Sequence, residues 1–223
     1  MNSRSTSRGA VRLEAACLSL VSRYPVKGWW PARSRFEVMV GAVLVQNTRW
    51  VNVDRAIRSL RRAGCLTSDA IAKSKPAYLI SLIRSAGCQG VKVRRLQALA
   101  VWIEASGGLR KLASKDTDAL RRDLLGVHGI GPETADAMLC FGFGRRIFIA
   151  DRYARRWLER MGLLSTDELA NYERCRRAVE RRLNGPATNF ADIHAAIVLH
   201  GQSVCGREPD CARCFIRAQC RYG

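Results

Sequence analysis

Acidic side chains are scarce in this chain: 19 aspartates and glutamates face 38 lysines and arginines, leaving a formal charge of +19 and an isoelectric point near 10.5. Such a field attracts polyanions whatever their sequence. Arginine dominates the basic set, and its planar fork suits phosphate better than a point charge does. A basic solvated surface without a dedicated ligand is the bland alternative. Also missing is any apolar run near the roughly 18 residues of a membrane span, and no apolar signal core stands near the N-terminus. The expectation is a soluble intracellular protein with no membrane partner, cytoplasmic and, in a bacterium, nucleoid-associated. No alternating pattern of useful length marks a strand, and no internal repeat, low-complexity tract or long linker interrupts the chain. Of the three histidines, His128 falls in a turn, and His194 and His200 are expected on an amphipathic helix near the C-terminus. None has a ligand-like partner in sequence.

What the chain does have is helical periodicity. Apolar residues recur at three-to-four spacing over 36–45, 51–60, 78–83, 91–103, 120–125 and 134–141. Short breaks at Gly64, Gly87, Gly107-Gly108 and Gly129 to Gly131 separate these runs, as stacked helices with brief connections require. The fold class is all-α. At 223 residues the chain can form one large domain or two small ones. Its opening residues, 1–10, are expected as a flexible arm or an organellar targeting fragment.

The most informative stretch is 127–135, Val-His-Gly-Ile-Gly-Pro-Glu-Thr-Ala. Two glycines around Ile130 let a tight turn expose backbone N–H groups, and Pro132 suits the first turn of a helix whose positive end favours an anion. His128, Gly129 and Gly131 are therefore candidate phosphate contacts. An ordinary helix-connecting turn is the alternative. With the preceding Leu124-Leu125-Gly126 and the later Asp151 in Ile-Ala-Asp-Arg-Tyr, the stretch resembles the helix-hairpin-helix of the endonuclease III superfamily of DNA glycosylases. That resemblance implies a two-domain fold, with a six-helix barrel holding the hairpin over 25–139. A second domain, built from 11–24 plus 145–223, carries a metal loop, and the active cleft lies between the two.

Cys205, Cys211, Cys214 and Cys220 are separated by five, two and five residues. Four thiolates that close can enclose one metal centre, and an intracellular setting argues against disulfides. A [4Fe–4S] cluster or a tetrahedral zinc remains. The arrangement resembles the iron–sulfur loop of endonuclease III and its adenine-glycosylase relatives, where the first gap is usually one residue longer. The resemblance favours the cluster, with Arg207, Arg213 and Arg217 placed to lie on DNA phosphates. The other five cysteines are scattered and read as small core residues.

A glycosylase must extract a nucleotide from the duplex and fill the gap it leaves. Gln46, in Gly-Ala-Val-Leu-Val-Gln-Asn-Thr, matches the superfamily segment whose glutamine wedges into the base stack; a capping glutamine at a helix end is the alternative. A second wedge from the turn at Gly87-Cys88-Gln89-Gly90 departs from the family pattern. Glu133 stands where bifunctional members carry the lysine that attacks the sugar. A carboxylate cannot form an imine, so AP-lyase activity is expected to be absent or weak; Lys92 offers another amine, but no spacing supports it. Asp151 resembles the catalytic aspartate. It would stabilise an oxocarbenium-like sugar and orient or deprotonate water, while a purely capping role at the start of a helix is the alternative.

Trp29-Trp30-Pro31-Ala32 and Trp50 make the chain most similar to the endonuclease-III-like 3-methyladenine DNA glycosylases, in which aromatics at Trp29 and Trp50 sandwich the methylated purine and the Trp30 region completes the wall. Alkylated purines carry positive charge, which an indole face attracts. Hydrophobic core is the other reading of these tryptophans. The leading expectation is a monomeric, monofunctional glycosylase that removes damaged bases, above all alkylated purines, from double-stranded DNA. Behind it stand an endonuclease III-type enzyme for oxidised pyrimidines or uracil and thymine mismatches, and a non-catalytic iron–sulfur DNA-binding relative.

Overall fold

A computed structural model describes residues 3–185 and 188–223, and among them no strand occurs. The chain divides into two compact units. One is the continuous segment Trp30–Arg145; the other ends its first pass at Trp29 and resumes over Arg146–Gly223.

The first helix, α1 (Ser3–Arg23), buries Leu13, Ala16, Cys17 and Leu20 at helical spacing. Residues 1 and 2 of the expected arm lie outside the described residues, and from Ser3 onward that segment is the opening of α1.

The continuous unit contains α2 (Arg35–Leu44), α3 (Trp50–Arg62), α4 (Ser68–Lys73), α5 (Pro76–Leu82), α6 (Gln89–Ala105), α7 (Gly108–Ala113), α8 (Thr117–Leu125) and α9 (Pro132–Ala137). Helix α2 is its centre. Every residue from Phe36 to Leu44 is buried, so the helix is covered on all sides. The Ser34 hydroxyl caps it by accepting from the Glu37 N–H at 3.1 Å. Glu37, 2 % exposed, is tolerated because Arg61 of α3 pairs with it. Lys92 on α6 is also buried, and its ammonium donates to the carbonyls of Leu44 at 2.8 Å and Ala86 at 2.7 Å. It thereby closes the C-terminal end of α2, where backbone carbonyls lack helical partners. After α9 the chain widens into a π-helical turn at Met138–Gly142, whose last carbonyl accepts from Arg35 at 2.8 Å.

The other unit joins α1 to α10 (Arg152–Met161), α11 (Thr166–Leu169), α12 (Tyr172–Arg182) and α13 (Phe190–Ser203). Its centre is α13, packed on α1 and α10. The sequence suggested an amphipathic helix here. Instead Phe190, Ile193 to Val198, His200 and Gly201 are buried, because neighbours cover it on more than one side and its two histidines turn inward. Buried chain at 147–150 leads into α10, tied by the Phe148 N–H to the Glu180 carboxylate at 2.9 Å. Beyond α13 the loop has only two short 3-10 turns, Cys211–Arg213 and Arg217–Gln219. No described helix is long and apolar enough to cross a membrane.

Candidate functional site

The turn between α8 and α9 is built from the inside out. Val127 and Ile130 are buried, and the Ile130 N–H donates to the Val127 carbonyl at 3.1 Å. His128, Gly131, Pro132 and Glu133 are left exposed. The two glycines serve different ends. Gly129 has φ +81, and a Cβ there would come within 2.3 Å of the Arg95 side chain. Gly131 has ordinary extended backbone, with no described atom within 4 Å of where a Cβ would sit. Its N–H end of α9 is open to an approaching anion. Underneath, Arg121 of α8 grips the fully buried Asp136 of α9 through two bonds, at 2.6 and 3.1 Å, and fixes the two helices against each other.

Gln46, just past the end of α2, is drawn into this turn. Its side-chain amide donates to the Thr134 hydroxyl at 2.9 Å and the Gly129 carbonyl at 3.3 Å, and its oxygen accepts from Arg95. Sequence reasoning found Gln46 but missed Arg95, whose stem fills the space over Gly129 and whose guanidinium holds Gln46. The only signal was a basic residue on the α6 face that carries Lys92.

Trp30 and Trp50 come together. Their rings meet edge to face at 5.2 Å, and Trp30 also lies 4.9 Å from Phe141. Gly41 makes room on α2, since a Cβ there would stand 3.4 Å from Trp30 and 3.5 Å from Trp50. All three rings are half-buried. Phe141 was read in sequence only as part of a helical run; the π-helical turn re-aims it toward Trp30. Trp29 belongs to the other unit, where its ring packs edge-on against His194 at 6.0 Å.

Asp151 ends the buried segment and begins α10. One carboxylate oxygen accepts from the Ala154 N–H at 2.8 Å, so capping fixes its position while the residue stays half-buried. Burial holds His194 below its ordinary value of 6.5, partly countered by the charge of Asp151 and a bond to the Ile149 backbone. Trp29, His194 and Asp151 therefore form one cluster within this unit.

At the far end of α10, the Arg156 guanidinium donates to the Cys205 carbonyl at 2.9 Å, and Arg160 donates to the Cys205 sulfur at 3.3 Å and the Gly206 carbonyl at 2.6 Å. All four sequence-identified cysteines, Cys205, Cys211, Cys214 and Cys220, line one pocket together with Trp157 and His200. No three described His, Cys, Asp or Glu side chains stand close enough to hold a single metal ion. Four thiols around one pocket are a soft donor set that suits a metal centre. The buried Trp157 indole N–H, which has no partner among the described residues, is a donor left for such a group. One ligand candidate also has a neighbour that the sequence did not reveal: the Cys214 sulfur lies 3.8 Å from His200 Nε2.

Comparison with known proteins agrees with this architecture. Residues 40–184 match the HhH-GPD superfamily of base excision DNA repair proteins. A Methanocaldococcus jannaschii protein provisionally named as a DNA repair glycosylase is 36% identical over 204 residues, covering 90% of this chain and 92% of its own length. Among solved structures, a non-covalent endonuclease III–DNA complex superposes with a TM-score of 0.80 at 20% identity, covering 96% of this chain and 95% of that one. A Helicobacter pylori 3-methyladenine DNA glycosylase bound to 1,N6-ethenoadenine gives 0.72 at 23% identity, covering 88% and 97%. The chain belongs to the HhH-GPD superfamily, as a base excision repair DNA glycosylase.

Proposed function

We propose that this glycosylase is monofunctional, hydrolysing the N-glycosidic bond of alkylated purines in duplex DNA and leaving an abasic site. The observation that carries the reading is the exposed carboxylate of Glu133 in the first turn of α9, where an imine-forming enzyme needs an amine. The chain has only six lysines, none after Lys115. Lys92 is buried under two carbonyls, Lys73 pairs with Asp69, and Lys115 pairs with Asp123. In this reading Asp151, held by its cap, stabilises positive charge on the sugar as the base departs and orients the incoming water. The N–H of exposed Gly131 at the start of α9 grips a phosphate, with His128 beside it. Gln46 enters the space left by the extruded nucleotide.

Two features support the substrate class. Trp30 and Trp50 offer electron-rich indole surface, which attracts the cationic ring of a 3- or 7-alkylated purine. A charged base is already a good leaving group, so no strong general acid is needed. The M. jannaschii relative is named as a repair glycosylase, and a 3-methyladenine glycosylase shares the fold.

The thiol cavity is assigned to a [4Fe–4S] cluster held by Cys205, Cys211, Cys214 and Cys220. When bound, it would staple a loop that has little core of its own. Arg207, Arg213 and Arg217 around it carry charge suited to DNA phosphates.

Excision assays on duplexes bearing 3-methyladenine, 7-methylguanine, uracil opposite guanine and thymine glycol, each with and without alkali, test the reading. Release of alkylated purines with strands intact until alkali is the expected result. Release of only the pyrimidine lesions would replace the substrate class, and no excision at all would leave a DNA-binding relative.

A further inference from the structure

His200 faces two groups at once. Its Nδ1 lies 3.0 Å from the Tyr24 hydroxyl and its Nε2 lies 3.8 Å from the Cys214 sulfur. The ring is 1 % exposed, with Phe215 packed edge-on at 5.8 Å and Tyr24 at 5.9 Å. The Tyr24 hydroxyl in turn reaches the Ser203 hydroxyl at 3.3 Å. These residues come from the end of α1, the last turn of α13 and the loop after it, all within one unit. Nothing in the proposed excision reaction uses them.

A neutral imidazole carries one N–H, and its place is set by the partner of the other nitrogen. A free Cys214 thiol can donate to Nε2. A thiolate bound to metal has no hydrogen and can only accept. With such a ligand present, the favourable arrangement puts the hydrogen on Nε2, aimed at sulfur, and leaves Nδ1 to accept from Tyr24. Hydrogen bonds to ligand sulfurs stabilise the more negative, reduced form of an iron–sulfur centre and so raise its potential.

We propose that His200 donates to the metal-bound sulfur of Cys214, that Tyr24 fixes the tautomer which makes this possible, and that the pair raises the reduction potential of the centre. The proposal rests on the cluster assignment above, and the metal analysis distinguishes its own failure from failure of that assignment. The test uses the full chain, reconstituted anaerobically with iron and sulfide and labelled with ¹⁵N-histidine, as wild type, His200→Phe, His200→Gln and Tyr24→Phe. Iron and sulfide per chain, circular dichroism, voltammetry on a DNA-coated electrode and pulsed EPR of the paramagnetic state are read for each.

A loaded wild type with an exchangeable proton and a ¹⁵N coupling at the centre is expected. His200→Phe should lose both signals and shift the potential negative, Tyr24→Phe should shift it the same way by less, and His200→Gln, which keeps an N–H, should recover much of the difference. A fully loaded His200→Phe with wild-type potential and proton coupling overturns the proposal. If that variant does not fold, a folded and loaded Tyr24→Phe with unchanged potential overturns it. Zinc or no metal in the wild type removes the cluster assignment and this proposal with it.

Discussion

The two units carry almost the same net charge and use it differently. Segment 30–145 has 19 basic and 9 acidic residues, and the remainder has 19 and 10, giving +10 and +9. The difference lies in what the charges hold. In the hairpin unit, buried or half-buried cations secure backbone: Lys92 closes α2, Arg95 packs over Gly129, and Arg121 locks α8 to α9. In the other unit, arginines of α10 hold the cysteine loop while Asp151 caps the opposite end of the same helix. In the proposed reading, attraction to DNA is shared, whereas grip and chemistry are divided between the units.

The sharpest way to break this division is Asp151→Asn. Amide oxygen can still accept from Ala154, so the cap and duplex binding should survive while single-turnover excision falls on the order of 10²–10³-fold. A comparable loss of duplex binding would instead make Asp151 part of the grip. Next comes Asp136→Ala, which removes the fully buried carboxylate that Arg121 grips and so unties α8 from α9. Urea unfolding should show a loss of about 3–5 kcal/mol, the usual cost of breaking a buried ion pair.

The glycines divide structure from binding within the turn itself. Gly129→Ala meets both a positive φ and Arg95, and should cost about 1–3 kcal/mol in stability. Gly131→Ala has space, so its melting temperature should stay within a degree or two of wild type while duplex affinity drops and salt dependence weakens. Equal melting losses for both variants would refute the distinction.

The smallest effect is on pH. Burial lowers the folded-state value of His194, so unfolding takes up a proton as the pH drops below 6.5; stability should decline there and be full above it. His194→Phe should make that part of the melting profile shallower, the remainder coming from His200, which burial lowers to about 4.

Much of this was legible in sequence because it depends on local rules. Glycine spacing, Pro132 and the apolar periodicity mark α2, α3, α5, α6, α8 and the hairpin without any long-range information. Short helices such as α4, α7 and α11 were not legible, because six residues or fewer give too little periodicity to see. The inward histidines of α13 were misread as part of an amphipathic pattern, since what covers a helix is decided by other segments. Arg95, Phe141 and the His200–Cys214 approach were missed for the same reason: each depends on a partner at least 14 residues away, and Phe141 also on a π-helical turn that no composition signals.

Covalent trapping is the most direct test of the chemistry assigned to the two units. Wild-type protein and Glu133→Lys are incubated with a duplex bearing a 7-alkylated guanine in the presence of borohydride. A carboxylate-and-water mechanism predicts base release by the wild type with no protein–DNA adduct. An adduct formed by the wild type at yields approaching those of an imine-forming glycosylase would contradict it.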